Sequence, residues 1–382
     1  MILTLCFIDC KKKRKLTTKP FLSFLIPCYN HEENVKETIE SIYNCYDKSN
    51  FEIIVVNDGS TDDSLEKLKE IQTKYAFTLV NNKKNMGKAC SLNNACKLAK
   101  SEILFFLDAD VILNKRAVND ILARLQEGIS AVSSPCQPRN TGFLPLMQGI
   151  ECNMMSFLQG AQNHFSTFSL WGGCFAVKKK TFEEVGGLSE NAIIEDADLA
   201  LKLRERGYKV EQSFYSVGTY VPKTIQFWFK QRIRWSSGSA QNFIKHFKVW
   251  LQNPLIIFFS FLFFTLSICF AISLARQITF FENIINSYSL IRETTNRLLS
   301  FEIIGFYYGA ILLKNLVAGI YFTAFSLPYI APMIRKFKDI YKALYVIPFS
   351  LIYLPVFSTV SIIGFIIGIA RYKSLNKGER SW

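Results

Sequence analysis

Leu104-Phe105-Phe106-Leu107-Asp108-Ala109-Asp110 is the stretch on which the fold of this 382-residue chain turns. Four apolar residues in a row, stopped by two acids one residue apart, read as a strand buried on both faces, the pattern of a parallel sheet. In open α/β sheets ligands collect at the carboxyl ends of strands, which places Asp108 and Asp110 where chemistry is expected. Residues at i and i+2 share one face of an extended segment. Two hard oxygen donors so placed suit Mg2+ or Mn2+, ions that also take phosphate oxygens from a substrate. The same acids also read as an Asx-type turn closing a strand, and the surrounding chain has to decide between the two.

Upstream, the pattern repeats. Phe21 to Ile26 reads as a first strand ended by Pro27, with Cys28-Tyr29-Asn30 as its turn and Asn30 as cap of a helix bearing Val35, Ile39 and Ile42. Phe51 to Val56 is a second strand, closing on Asn57-Asp58-Gly59-Ser60, with Ser60 or Thr61 capping the next helix. Phe77 to Val80 is a short third strand, and Asn85-Met86-Gly87-Lys88 opens a helix over Ala89 to Ala99. The β-α-β-α-β-α-β order predicts a mostly parallel sheet with right-handed crossovers and helices on both faces. Tyr29-Asn30, Asp58 and Asp108 then fall at strand ends on one edge. That edge suits a nucleotide: a carboxylate accepts from base N–H or ribose hydroxyls, and a metal with Lys88 offsets a diphosphate. Neither GxxxxGK[ST] nor GxGxxG occurs, so ATP hydrolysis and dinucleotide binding lack their usual loops.

Downstream, the pattern weakens from Ile129 to Phe168, which reads as irregular structure with one helix around Leu146 to Leu158. In Trp171-Gly172-Gly173 the paired glycines read equally as close backbone approach to a ligand or as a tight turn. Glu195-Asp196-Ala197-Asp198 opens a helix ending at Gly207. Acids there compensate a helix dipole, or one of them serves as a general base. Lys223 to Lys248 interleaves cations with aromatic residues in the manner of an interfacial segment. It contains Gln231-Arg232-Ile233-Arg234-Trp235, whose arginines suit a leaving diphosphate and whose indole suits a sugar.

The net charge of +14 favours anionic lipid or phosphorylated substrates, and no nucleic-acid module is visible. Ten cysteines without a CxxC pair and three separated histidines (His31, His164, His246) give little support to a zinc site or a disulfide framework, and reduced thiols are expected. The run Lys11 to Lys15 follows a short apolar start rather than preceding it, the reverse of a signal peptide, and reads as a solvated or lipid-facing arm. Leu255 to Leu274 is long and apolar enough to span a bilayer; Phe306 to Leu327 and Ala343 to Ala370 are second and third candidates. The expected division is a basic arm over 1–19, a catalytic domain over 20–222, an interface segment over 223–253 and a membrane region over 254–382, with segments at 255–274, 306–327 and 343–370. The expectation is an integral protein of the cell (inner) membrane, its catalytic domain cytoplasmic.

Taken in order, Ile26-Pro27-Cys28-Tyr29-Asn30, Val55-Val56-Asn57-Asp58-Gly59-Ser60, Asn85-Met86-Gly87-Lys88, Asp108-Ala109-Asp110, Glu195-Asp196 and Gln231-Arg232-Ile233-Arg234-Trp235 resemble glycosyltransferase family 2 over roughly residues 20 to 250. These are inverting enzymes with a GT-A fold, and the last motif resembles the QxxRW signature of membrane synthases of cellulose, chitin, hyaluronan and poly-N-acetylglucosamine. The resemblance implies that Pro27, Tyr29, Asn30, Asp58, Lys88 and Asp108 bind a nucleotide sugar, and it favours a UDP-linked donor over a GDP-linked one. It implies Asp110 with Asp108 at the metal, Asp196 with Glu195 as the catalytic acids, and Gly172, Gly173, Gln231, Arg232, Arg234 and Trp235 toward acceptor and diphosphate. The acceptor so implied is a growing β-linked polysaccharide; the alternatives are a non-processive transferase with a polyprenyl-phosphate or glycolipid acceptor, and a non-catalytic subunit of a synthase complex. The partners expected are donor, glycan or lipid-linked acceptor and lipid bilayer, with room for a homo-oligomer or an export partner and without nucleic acid.

Overall fold

The computed structural model describes residues 14–163, 166–167, 169–252, 345 and 348–372. Two compact units divide the chain, residues 1–252 with 364–382 and residues 253–363. In the first, four parallel strands, β1 (Leu22–Cys28), β2 (Phe51–Asn57), β3 (Thr78–Asn81) and β4 (Ile103–Leu107), alternate with helices α1 (Val35–Cys45), α2 (Ser64–Gln72) and α3 (Lys88–Leu98). A short β5 (Val111–Ile112) and α4 (Lys115–Gln126) follow, then β6 (Ala131–Ser133), β7 (Cys136–Pro138) and α5 (Phe143–Gln162). Next come β8 (Cys174–Lys178), α6 (Lys179–Glu184), α7 (Glu195–Glu205), β9 (Val210–Gln212), β10 (Val217–Thr219), α8 (Ile225–Lys245) and α9 (Phe247–Leu251). The main sheet runs β3-β2-β1-β4-β8-β6-β9, and a small sheet runs β5-β10-β7.

The apolar run at 104–107 is a strand with both faces covered. Phe105 belongs to the cluster that holds Val35, Ile39, Leu68 and Ile121, and packs 4.9 Å from Phe24. Leu104 and Phe106 belong to the opposite cluster with Leu92, Leu199 and Leu203, and Phe106 stacks 4.4 Å from Phe175. Alternation of side chains through a strand produces this division. β8 is antiparallel to β4, pairing Cys174 with Leu107, so it begins where β4 ends. That reversal carries Trp171–Gly173 to the acid pair.

Several local expectations need correction. β1 continues through Pro27 to Cys28, because pairing with β4 stops at Leu25 and a missing N–H costs nothing where β2 is the sole neighbour. α1 and α2 start later than their expected caps, after Asn34 and Asp63. Asn30 instead adopts φ 57 and joins its amide to Thr61. The helix expected around Leu146 to Leu158 runs from Phe143 to Gln162, and the rest of the stretch adds two strands that periodicity could not show, because β6 and β7 have three residues each. Arg14, expected in a solvated arm, is buried against Glu211 (2.8 Å), which also binds Arg124 at 2.5 Å.

The membrane localisation is also corrected. Among the described residues no helix is long and apolar enough to cross a membrane. Segments 255–274 and 306–327 lie outside the described residues. Within 343–370 the regular helix is α10 (Leu354–Ala370), seventeen residues preceded by a π-turn at Phe349–Tyr353. In the first unit its Gly364 and Gly368 pack on α8: Ser237 Oγ donates to Gly364 O at 2.7 Å, and a Cβ on Gly368 would stand 2.8 Å from that of Ala240.

Candidate active site

The site begins with α3. Gly87 caps that helix at φ 91, a conformation that favours glycine, and Lys88 follows at its first turn. Lys88 Nζ lies 2.6 Å from Asp108, 3.3 Å from Glu195 and 3.2 Å from the carbonyl of Gly172, to which it donates. Burial works to lower the lysine pKa, but the charges of Asp108, Glu195 and Asp196 outweigh it and raise the value. One ammonium thus joins the end of β4, the β8 turn and the start of α7.

Asp108 is fixed by its own N–H, which donates to Gly173 O at 3.0 Å. Asp110 is half-buried, and burial together with the Asp108 charge pushes its carboxyl up to about 6. His31 acts the other way on Asp110, placing the β1 turn beside the acid pair. Two carboxylates one residue apart are hard oxygen donors of the type that Mg2+ or Mn2+ takes. Among the described residues no third His, Cys, Asp or Glu completes a cluster around them, so the remaining donors for an ion would be phosphate oxygens and water.

Asp196 stands in the first turn of α7, where its Oδ1 accepts from the N–H of Ala197 at 2.7 Å. Burial, then the neighbouring Glu195 charge, pushes its carboxyl up to about 7 against the pull of Lys88. Its other oxygen fills the space where a Cβ on Gly172 would stand, and Asp196 Cγ would lie 2.8 Å from that atom. Glycine at 172 is therefore a steric requirement of the carboxylate, and at 173 the Trp171 ring fills the same space.

The other motif residues occupy distinct positions. Asp58 is buried and receives N–H bonds from Met86 (2.9 Å) and Gly87 (2.8 Å) and an amide bond from Asn82 (2.9 Å), so it shapes the loop leading to Lys88. Pro27 lies in β1 and Tyr29 is exposed. In α8, Arg232 is buried; it donates to Gln231 Oε1, pairs with Glu151 at 2.7 Å and lies over Trp235 at 4.3 Å. Arg234 is exposed, and Gln231 and Trp235 are half-buried.

Motif reasoning did not reach a second group on α8. Gln241 accepts from Ile193 N (3.0 Å) and donates to Asn191 O (3.1 Å), while Asn242 donates to Ile194 O (3.3 Å). Gly238 leaves the space that Ile194 occupies. Together they hold the loop 191–194 that delivers Glu195 and Asp196. The one sequence signal for this is a small residue followed at helical spacing by two amides, Gly238, Gln241 and Asn242.

The mostly parallel sheet, with Lys88 and the Asp108–Asp110 pair at one edge, is an α/β arrangement of the GT-A-like kind. Residues 23–186 match the family model described as glycosyl transferase family 2. Poly-beta-1,6-N-acetyl-D-glucosamine synthase of Staphylococcus aureus is 29% identical over 233 residues, 59% of this chain and 56% of that protein. The synthase of the same name from Staphylococcus epidermidis is 29% identical over 232 residues, with the same coverage. The chain thus spans little more than half the length of these relatives. Among solved structures, a mannosyltransferase from Pyrobaculum calidifontis in complex with GDP-Man and Mn2+ superposes with a TM-score of 0.52 at 23% identity. That likeness covers 64% of this chain and 70% of the other, and it shows the fold.

Proposed function

We propose that this protein transfers a sugar, with inversion, from a UDP-linked donor to a hydroxyl of a growing β-linked glycan, and that it adds units processively. The placement of Asp196 carries the reading: a half-buried carboxylate with a raised pKa, set against Gly172 and joined to the β4 acid pair through Lys88. In this reading the acceptor hydroxyl gives its proton to Asp196 while its oxygen attacks the anomeric carbon. The bond from that carbon to the diphosphate oxygen breaks, and the nucleoside diphosphate leaves on the opposite face. Lys88 places positive charge beside the leaving group, and Glu195 keeps Asp196 basic. Asp108 and Asp110 would hold Mg2+ or Mn2+, which when bound offsets diphosphate charge. The names of the staphylococcal relatives favour N-acetylglucosamine as the sugar.

Release of nucleoside diphosphate from UDP-N-acetylglucosamine, UDP-glucose and GDP-mannose, with Mg2+ or Mn2+, tests the proposal. Metal-dependent turnover with one donor is expected, and Asp196→Asn should lower it by roughly 10²- to 10⁴-fold without weakening donor binding. Full activity in Asp196→Asn, or no turnover despite donor binding, would overturn it.

A further inference from the structure

Two sulfurs meet away from this site. Cys136, the first residue of β7, and Cys152, midway along α5, place their Sγ atoms 3.0 Å apart, and both side chains are half-buried. The contact is braced on each side. Gln137 donates to Asn153 Oδ1 at 2.7 Å, and α5 passes close enough to β7 that a Cβ on Gly149 would touch the Pro138 ring at 3.6 Å. The pair is therefore held by neighbours in a geometry that leaves about 1 Å to close before the sulfurs reach disulfide length. We propose that Cys136 and Cys152 are a reversible disulfide site whose co-reactant is a small-molecule disulfide of the glutathione type.

The hydrogen bond to Cys136, then burial, raises the Cys152 pKa well above the ordinary thiol value. One of the two cysteines, as its thiolate, attacks one sulfur of the co-reactant, forming a mixed disulfide and expelling one small thiol. The other then loses its proton to solvent and attacks the protein sulfur of that mixed disulfide, expelling the second. Two protein thiols are oxidised and one external disulfide is reduced to two thiols. The new bond fastens α5 to β7, and so to β10 and β5, the strand that follows Asp110. Its neighbour on α5 is Glu151, the partner of Arg232.

The test uses the full chain, folded, with oxidised glutathione followed by denaturing alkylation and peptide mass mapping. One Cys136–Cys152 cross-link is expected, removed by dithiothreitol, with Cys28, Cys45, Cys90, Cys96 and Cys174 alkylated as free thiols. Cys152→Ser and Cys136→Ser should each abolish the cross-link and leave the remaining cysteine of the pair as a free thiol or a glutathione adduct. Oxidised wild type should unfold at higher urea than reduced protein, a shift absent from both variants. Recovery of the two cysteines as free thiols or as separate glutathione adducts in wild type would overturn the proposal. Because the mapping needs no variant, a serine protein that failed to fold would leave this outcome readable.

Discussion

Asp196 is a carboxylate whose surroundings set the pH at which it can accept a proton. Burial and the Glu195 charge raise its pKa to about 7, so below that pH it is protonated and cannot act as a base. In the proposed reaction the rate should fall about tenfold per pH unit on the acid side of about 7, measured as kcat/KM against pH. Glu195→Gln removes the second-largest cause of the shift and leaves Lys88 with fewer acids to satisfy, so the acid limb should move to lower pH. An unmoved limb would take Asp196 out of that role. Lys88, Asp108, Glu195 and Asp196 were all legible as candidates because each stands at a strand end or helix start, and the structure brings them into contact. Gly172 was only half legible: its sequence allowed a turn or a close approach, and what decides between them is Asp196, some two dozen residues away. Arg232 shows the opposite limit. Motif order placed it among diphosphate ligands, but in a helix its immediate neighbours face other ways, and its own side chain is directed to Glu151.

At the scale of elements, α8 acts on the site through its polar face. Gln241 fixes both Ile193 N and Asn191 O, so Gln241→Ala should free the loop that delivers Asp196. The expected effect is a loss of kcat on the order of tenfold to hundredfold, with the donor dissociation constant unchanged by calorimetry. Gly238→Ala should cost about 1–3 kcal/mol in urea unfolding, since the added methyl overlaps Ile194. α7 is tied to α8 by a second device. Asp198 accepts from Ser189 Oγ at 2.6 Å and meets Lys245 at 2.5 Å and His246 Nε2 at 3.0 Å. Burial opposes its charge, but bonds from His246, Lys245 and Ser189 prevail and lower the pKa to about 2. A lowered carboxylate adds stability that is complete above its unfolded value, about 4, and disappears as pH falls toward 2. His246 has a raised pKa, because bonds to Asp198 and Glu205 overcome its burial, so its share is present at low pH and disappears as pH rises through that value. Asp198→Asn should therefore cost about 3 kcal/mol near pH 6 and progressively less toward pH 2, read from urea midpoints. The parallel strands were legible because three buried runs, β1, β2 and β4, and the short edge run β3 repeat one grammar. β6 and β7 were not: three residues cannot display a period of two, and their pairing partners lie far along the chain. The Cys136–Cys152 contact escaped for the same reason, since a pairing made between a strand and a helix leaves no spacing signature.

For the whole molecule, the decisive property of the proposed reaction is what happens after one sugar has been added. The glycan of a processive enzyme stays bound while each transfer exposes a new hydroxyl, so product length is set by the ratio of elongation to release. A distributive enzyme releases after every addition, and length then follows overall conversion. The motif order resembles polymer-forming enzymes, and the staphylococcal relatives that match 59% of the chain are named as synthases of a polymer. The net charge of +14 adds a field that would draw in the anionic donor of the proposed reaction, and this field weakens as salt shortens the Debye length. Two readings of one assay separate these contributions. Raising ionic strength from about 0.05 to 0.5 M should raise the donor KM several-fold while leaving product length nearly constant, because screening acts on encounter with the donor. Product sized at low conversion should already be long, with unextended acceptor in excess, and diluting the enzyme should reduce the number of chains rather than their length. A ladder that begins with single additions and lengthens only with time would establish distributive transfer and replace the polymer reading with that of a single-addition glycosyltransferase.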